Sequence, residues 1–210
     1  MTLNKNLKNH LQNLNFNLFP TIVIQYANVI SELERENIFN TLKKRSTDFH
    51  PAISKGTSSY HRNKKEDILN IFELEERLQE RLNNYTQETG IFDQKICQSW
   101  FNIQNVGSQL SEHCHAGSTL SGALYINVDG VQNSLCFQNP NPMIESVWNA
   151  HVQSLTPYNF KYTLFTPKNG DLFIFPSWLT RGSYYQFNKT PDRMVISFNT
   201  IDNRKEEQYN

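Results

Sequence analysis

From about residue 95 onward the chain is a succession of short runs rich in β-branched and aromatic residues: KICQSWFNIQ, STLSGALYINV, NSLCFQ, HVQSL, KYTLFT, DLFIFP, SYYQF and RMVISFNT. Turn-forming clusters separate them, among them Val128-Asp129-Gly130, Asn139-Pro140-Asn141-Pro142 and Lys168-Asn169-Gly170-Asp171. Around eight strands at this spacing predict a sandwich, a jelly roll or a barrel. The 14 Phe and 9 Tyr suit such a core.

The first half reads as helical in two places. Ser31 followed by Glu34 forms a capping box for a helix over about 31–45, with an imperfect apolar stripe of Leu33, Ile38 and Leu42. Ile68, Ile71, Leu78, Leu82 and Tyr85 recur at helical steps and predict a second helix over about 66–86, with Glu75 interrupting the stripe. The face carrying Glu73, Glu76, Arg77, Glu80 and Arg81 is assigned to solvent. The polar segment between the helices, about 46–65, reads as a loop at a pocket entrance. Helices first and strands afterwards predict helices bracing one face of the β-core.

Lys plus Arg and Asp plus Glu both number 20, so the formal charge is zero and nothing draws the chain as a whole to a membrane or to nucleic acid. The Lys43-Lys44-Arg45 and His61-Arg62-Asn63-Lys64-Lys65 clusters are read as solvated surface. Three cysteines without CxxC spacing argue against a disulfide framework, and the Asn-rich start lacks the apolar run of a signal peptide. A cytoplasmic location is expected. Oligomeric state is left open.

The sharpest local feature is Ser111-Glu112-His113-Cys114-His115. On an extended strand, side chains two apart share a face, so His113 and His115 can converge on one metal ion while Cys114 turns away. The alternative for such a pair is an ordinary loop or a satisfied polar cluster.

The residues around the pair resemble a known family. Trp100-x-Asn102, Gly107, His113-x-His115 and Ser121-Gly122-x-x-Tyr125 are followed in order by Gly170-Asp171-Leu172-Phe173-Ile174-Phe175-Pro176-Ser177-Trp178-Leu179 and by Arg193-x-x-Ile196-Ser197-Phe198-Asn199. The early Leu18-Phe19-Pro20-Thr21 also fits. Together these are similar to phage and bacterial, prolyl-hydroxylase-like members of the iron(II)/2-oxoglutarate oxygenases. The resemblance implies a mainly β fold, a double-stranded β-helix (jelly roll, cupin-like) with the N-terminal helices packed on one face. It also implies one domain over 1–210, with 1–90 as support and 95–201 as core. The expected cofactors are iron(II) and the cosubstrate 2-oxoglutarate, and the expected reaction is hydroxylation of an unidentified substrate.

By the same resemblance His113 matches the first metal ligand, and His115 stands where the wider superfamily has Asp or Glu. Arg193 is the expected clamp for the far carboxylate of 2-oxoglutarate, since a guanidinium offers a carboxylate paired donors in one plane. Val195 stands where a hydroxyl often assists that clamp. Ser197 shares the Arg193 face of an ideal strand, four residues along, and is grouped with the cosubstrate pocket. Asn102, 11 residues before His113, and Tyr125 are further pocket candidates, Tyr125 having a core reading as well. Trp100, Phe175 and Phe198 are assigned to the core, Cys114 and Cys136 to ordinary strand positions, and His61 to the surface or a lid. His151, at the start of HVQSL, is an outside candidate for a replacement ligand.

The distal metal-binding His of the family is expected two residues beyond Leu179, where this chain has Arg181. Arg181 is therefore placed in the catalytic centre, yet arginine is charged and has no acceptor, so it cannot ligate a metal. Two expectations follow. One is an oxygenase whose third ligand lies elsewhere; the other is a catalytically impaired jelly-roll protein whose pocket binds an anion through Arg181 and Arg193.

Overall fold

A computed structural model describes residues 20–45, 47–60, 68–128, 135–146, 151–156 and 158–204. In chain order its elements are β1 (Ile24–Tyr26), α1 (Glu32–Leu42), β2 (Asp48–Phe49), β3 (Gly56–Ser58), α2 (Ile68–Ile71), α3 (Glu75–Thr89) and β4 (Gln94–Gln104). There follow β5 (Leu120–Asn127), β6 (Leu135–Gln138), α4 (Pro142–Ser146), β7 (Tyr162–Phe165), β8 (Leu172–Pro176), β9 (Arg181–Gly182) and β10 (Arg193–Asp202). The strands form an antiparallel seven-stranded sheet, ordered β1-β8-β5-β10-β4-β3-β2, and a three-stranded sheet, ordered β7-β6-β9. This is the two-sheet, mainly β architecture the sequence predicts, with helices on one side.

Strand alternation gives the large sheet two different faces. Met194, Ile196 and Phe198 of β10, Leu124 and Ile126 of β5, and Ile174 of β8 point one way. They bury against Ile38 and Leu42 of α1, Leu69 of α2, and Leu78, Leu82 and Tyr85 of α3. The other face carries Ala123, Tyr125, Phe173, Phe175 and Val195, which meet Leu135 and Phe137 of the small sheet. The polar members of that inner face, Arg193 and Ser197 of β10 and Asn102 and Gln104 of β4, open onto a cavity.

α1 starts as its capping box requires: Ser31 Oγ accepts from the Glu34 amide, and Glu34 accepts from the Ser31 amide at 2.7 Å. Arg77, assigned to solvent by its pattern, instead donates to Glu34 at 2.9 Å and to the Val29 carbonyl at 3.0 Å, tying α3 to α1. Arg77 and then Ser31 hold the Glu34 carboxyl down to about 2 from an ordinary 4.5. The folded-state value is depressed, so this contribution to stability is complete above about 4.5 and is lost as pH falls toward about 2. Ser31→Ala is expected to cost about 1 kcal/mol, read as a lower urea midpoint at neutral pH with an unchanged slope.

Three sequence expectations are corrected. The second predicted helix is two, because Glu73 takes a left-handed φ of 55° and the Leu74 amide returns to the Leu69 carbonyl at 2.9 Å, closing α2 before α3 begins. HVQSL and SYYQF form no strand: residues 151–156 are turn and bend, and Tyr184, in SYYQF, has a φ of 52° that breaks an extended run. The segment bearing His113 and His115 is likewise no regular strand, being attached by a single bridge between His113 and Arg181. The Leu18-Phe19 start, the 61–65 basic cluster with its candidate lid residue His61, and the Asp129-Gly130 turn lie outside the described residues. Among the described residues no helix is long and apolar enough to cross a membrane.

Candidate functional site

Arg181, Arg193, Asn102, Tyr125, Ser197, His113 and His115 all line one cavity of about 250 Å³ between the two sheets. Each reaches it for a local reason. Asn102 is on β4, Tyr125 on β5, and Arg193 and Ser197 on β10, all on the inward phase of their strands. Arg181 opens β9, and its backbone exchanges both hydrogen bonds with His113, at 2.9 and 3.0 Å. Opposed residues in such a pair share a face, so the Arg181 and His113 side chains enter the cavity together. The His115 amide donates to the Ser177 carbonyl at 2.9 Å, which brings the second imidazole alongside, with ring centroids 5.3 Å apart.

Hydrogen bonding fixes the protons on both rings. His113 Nδ1 faces the Ser111 carbonyl at 2.7 Å; a carbonyl only accepts, so Nδ1 carries the proton and Nε2 keeps its lone pair. Arg181 Nη2 lies 2.7 Å from His115 Nε2 and can only donate, so Nε2 accepts and Nδ1 holds the proton. Nδ1 then donates to Asn199 Oδ1 at 2.6 Å, which also accepts from Ser121 Oγ at 2.9 Å. Burial and the Arg181 cation push His113 down to about 4 and His115 down to about 3. Both rings are neutral at pH 7. Burial lowers Arg181 to about 10, leaving it charged at the same pH.

Arg181 is 7% exposed, and its guanidinium lies 4.8 Å from the centre of the Phe175 ring. Its Nη1 is buried with no hydrogen-bond partner among the described residues. Arg193 Nη1 donates to Gln104 Oε1, and its guanidinium lies 5.4 Å from the Tyr125 ring centre. Tyr125 is both a core residue, edge-on to Phe173, and a wall of the cavity.

The donor set can be tested against an iron(II) facial triad, which takes two imidazoles and a carboxylate. His113 could supply one nitrogen. The His115 Nε2 lone pair is already engaged by Arg181, and among the described residues no Asp or Glu lines the cavity. Among the described residues no group of three or more His, Cys, Asp or Glu is placed to hold a metal. A guanidinium stands at the position where the family resemblance expects the third ligand, so the residues present do not fit an iron site.

Sequence reasoning missed four contributors. His50, Tyr60 and Gln104 line the cavity, and Asn199 orients His115. Asn199 was accessible, since stepping by two from Arg193 through Ser197 reaches it. His50 was not, because its loop meets the site only through the fold. Trp100, assigned to the core, is buried but also walls the cavity 5.5 Å from the His115 ring. His151 is exposed on a turn and absent from the cavity lining, which removes it as a replacement ligand. Cys114 is exposed and outside any strand, while Cys136 is buried in β6.

Three solved structures illustrate what the fold resembles. HygX from Streptomyces hygroscopicus, determined with nickel and 2-oxoglutarate, is 13% identical and matches over 87% of this chain and 84% of its own, with a TM-score of 0.58. A prolyl-4-hydroxylase from Pseudomonas putida is 12% identical over 86% of this chain and 92% of its own, also with a TM-score of 0.58. The viral collagen prolyl hydroxylase of Paramecium Bursaria Chlorella virus-1 is 9% identical over 85% and 94%, with a TM-score of 0.52. At these identities the likeness establishes the jelly-roll fold alone. No curated protein is detectably similar in sequence. The family model described as "Putative 2OG-Fe(II) oxygenase" matches residues 98–199, a stretch running from β4 to β10 and including His113, His115, Arg181 and Arg193. The family's cofactors are iron(II) and 2-oxoglutarate, and the sequence expectation of a 2-oxoglutarate-dependent, hydroxylase-type enzyme agrees with it. Over this segment the chain is similar to the 2OG-Fe(II) oxygenase family.

Proposed function

We propose that the cavity between the sheets is a 2-oxoglutarate site, and that hydroxylation of an unidentified substrate there would need, besides O2, a redox metal whose third ligand the described residues do not supply. One observation carries the reading: Arg193, Tyr125, Asn102 and Ser197 line the same cavity as His113 and His115. In this assignment Arg193 receives the far carboxylate on its planar fork, beside Gln104 and Tyr125. Val195 offers no hydroxyl there, and Tyr125, opposite it in register on the neighbouring strand β5, supplies one to the cavity. The reacting end of the cosubstrate points toward the two imidazoles. No step is assigned to iron, because the donor set does not fit it.

The substrate enters past the segment that carries β2 and β3, whose His50, Ala52, Ile53 and Tyr60 reach the cavity. Both HygX with hygromycin B bound and the prolyl hydroxylases share this fold, so the fold does not choose between a sugar-like and a peptidyl substrate. We further assign the chain to the cytoplasm and residues 1–210 to one domain, with a small-molecule cosubstrate and an unidentified substrate, rather than a membrane or nucleic acid, as partners.

Calorimetric titration with 2-oxoglutarate tests the assignment. Saturable binding is expected, weakened at least about 30-fold in Arg193→Leu, because two charge-assisted hydrogen bonds are lost. Equal binding by Arg193→Leu and the unaltered chain would remove the clamp.

A further inference from the structure

Arg181 is charged, buried and only half used. Nη2 is engaged by His115, the face of the guanidinium rests on Phe175, and Nη1 has no acceptor among the described residues. Leaving a buried donor unpaired is costly, and more so when it belongs to a cation. The residue cannot relieve this locally: it forms no ion pair among the described residues, and the other cavity-lining side chains include no carboxylate. Arg193 brings a second guanidinium to the same cavity, and both cations act on the Tyr125 hydroxyl. A cavity with two guanidinia and, among the described residues, no acid is complementary to a small anion carrying charge at both ends.

We infer that Arg181 takes the place of a metal ion in holding the ligand: its guanidinium, turned so that the buried Nη1 faces the cavity, receives the inner carboxylate of a dicarboxylate whose outer carboxylate lies on Arg193, so that the pocket binds with no divalent cation. The inference rests on the reading of this cavity as a 2-oxoglutarate site and goes beyond it by naming what anchors the inner end. It has a consequence for selectivity. A metal chelates the 2-oxo group together with its carboxylate, whereas a guanidinium needs only the carboxylate oxygens. Glutarate, which lacks the oxo group, should then bind almost as well as 2-oxoglutarate.

The test is calorimetric titration of the full chain with 2-oxoglutarate and with glutarate, in EDTA and again with manganese(II) added. In EDTA both ligands are expected to bind, within about fivefold of each other, and manganese(II) should change affinity by less than about twofold. Arg181→Leu should weaken binding at least about tenfold, and Arg181→Lys, which keeps the charge but not the fork, by a smaller factor. The lysine variant keeps the test decisive if the leucine variant does not fold. Binding that appears only with manganese(II), or that neither Arg181 variant weakens while Arg193→Leu abolishes it, overturns the anchor and leaves the 2-oxoglutarate reading standing. No binding of 2-oxoglutarate with or without metal overturns both.

Discussion

Arg181→His is expected to convert this cavity into a metal site. Residue 181 is bound to His113 through both backbone hydrogen bonds, so the new imidazole would emerge on the same face as His113 and beside it. His115, 5.3 Å from His113 between ring centroids, would lose the Arg181 donor from Nε2 and regain that lone pair. His113 already keeps its Nε2 lone pair, because Nδ1 is committed to the Ser111 carbonyl. Three neutral imidazoles would then face one point, each with its proton on the far nitrogen, and the cation that repels a metal would be gone. Anaerobic titration should show iron(II) or cobalt(II) bound at least about 100-fold more tightly than by the unaltered chain, since one ligand is added and one repulsive charge removed. Equal affinity of the two chains would mean that the three positions do not converge.

The second large effect is expected at Gly122, where the reason is steric. Gly122 is paired with Phe198 across β5 and β10, and the Phe198 ring lies over it. A Cβ at 122 would fall 2.1 Å from the tip of that ring, which is itself fully buried under the helices. Neither partner has room to move, because the strand is central in the large sheet and the ring is packed on all sides. Gly122→Val should cost about 3 kcal/mol or more, read as the loss of a cooperative thermal transition at physiological temperature or a steep fall in its midpoint. Phe198→Leu in the same chain should restore part of the stability. If the valine variant melts like the parent, the close packing of Phe198 on Gly122 is wrong.

Gly122 also shows what the sequence could and could not say. It stood out as part of Ser121-Gly122-x-x-Tyr125, but only the sheet register reveals that an aromatic ring from β10 needs its vacant Cβ position. The β-core was legible because its strands alternate or run apolar and end at turn residues. HVQSL misled because five residues of mixed polarity carry too little pattern to separate a strand from a turn. The helix over 66–86 was legible as an apolar stripe, while its interruption depended on the left-handed backbone at Glu73, which has no Gly or Asn to mark it. At the site, the His113-x-His115 pair could be found from spacing, and Arg181 and Arg193 from the family resemblance. The capping of His115 by Arg181, the unpartnered Nη1 and the approach of His50 could not, because each depends on how distant segments meet.

The most direct test of the account is a crystal structure of the full chain grown with 2-oxoglutarate and EDTA. The account predicts the ligand in the cavity between the sheets, one carboxylate paired with Arg193 beside Tyr125 and the other on Arg181 Nη1, with Arg181 still bonded to His115. A ligand held elsewhere on the molecule, or one in the cavity that touches neither guanidinium, would contradict it.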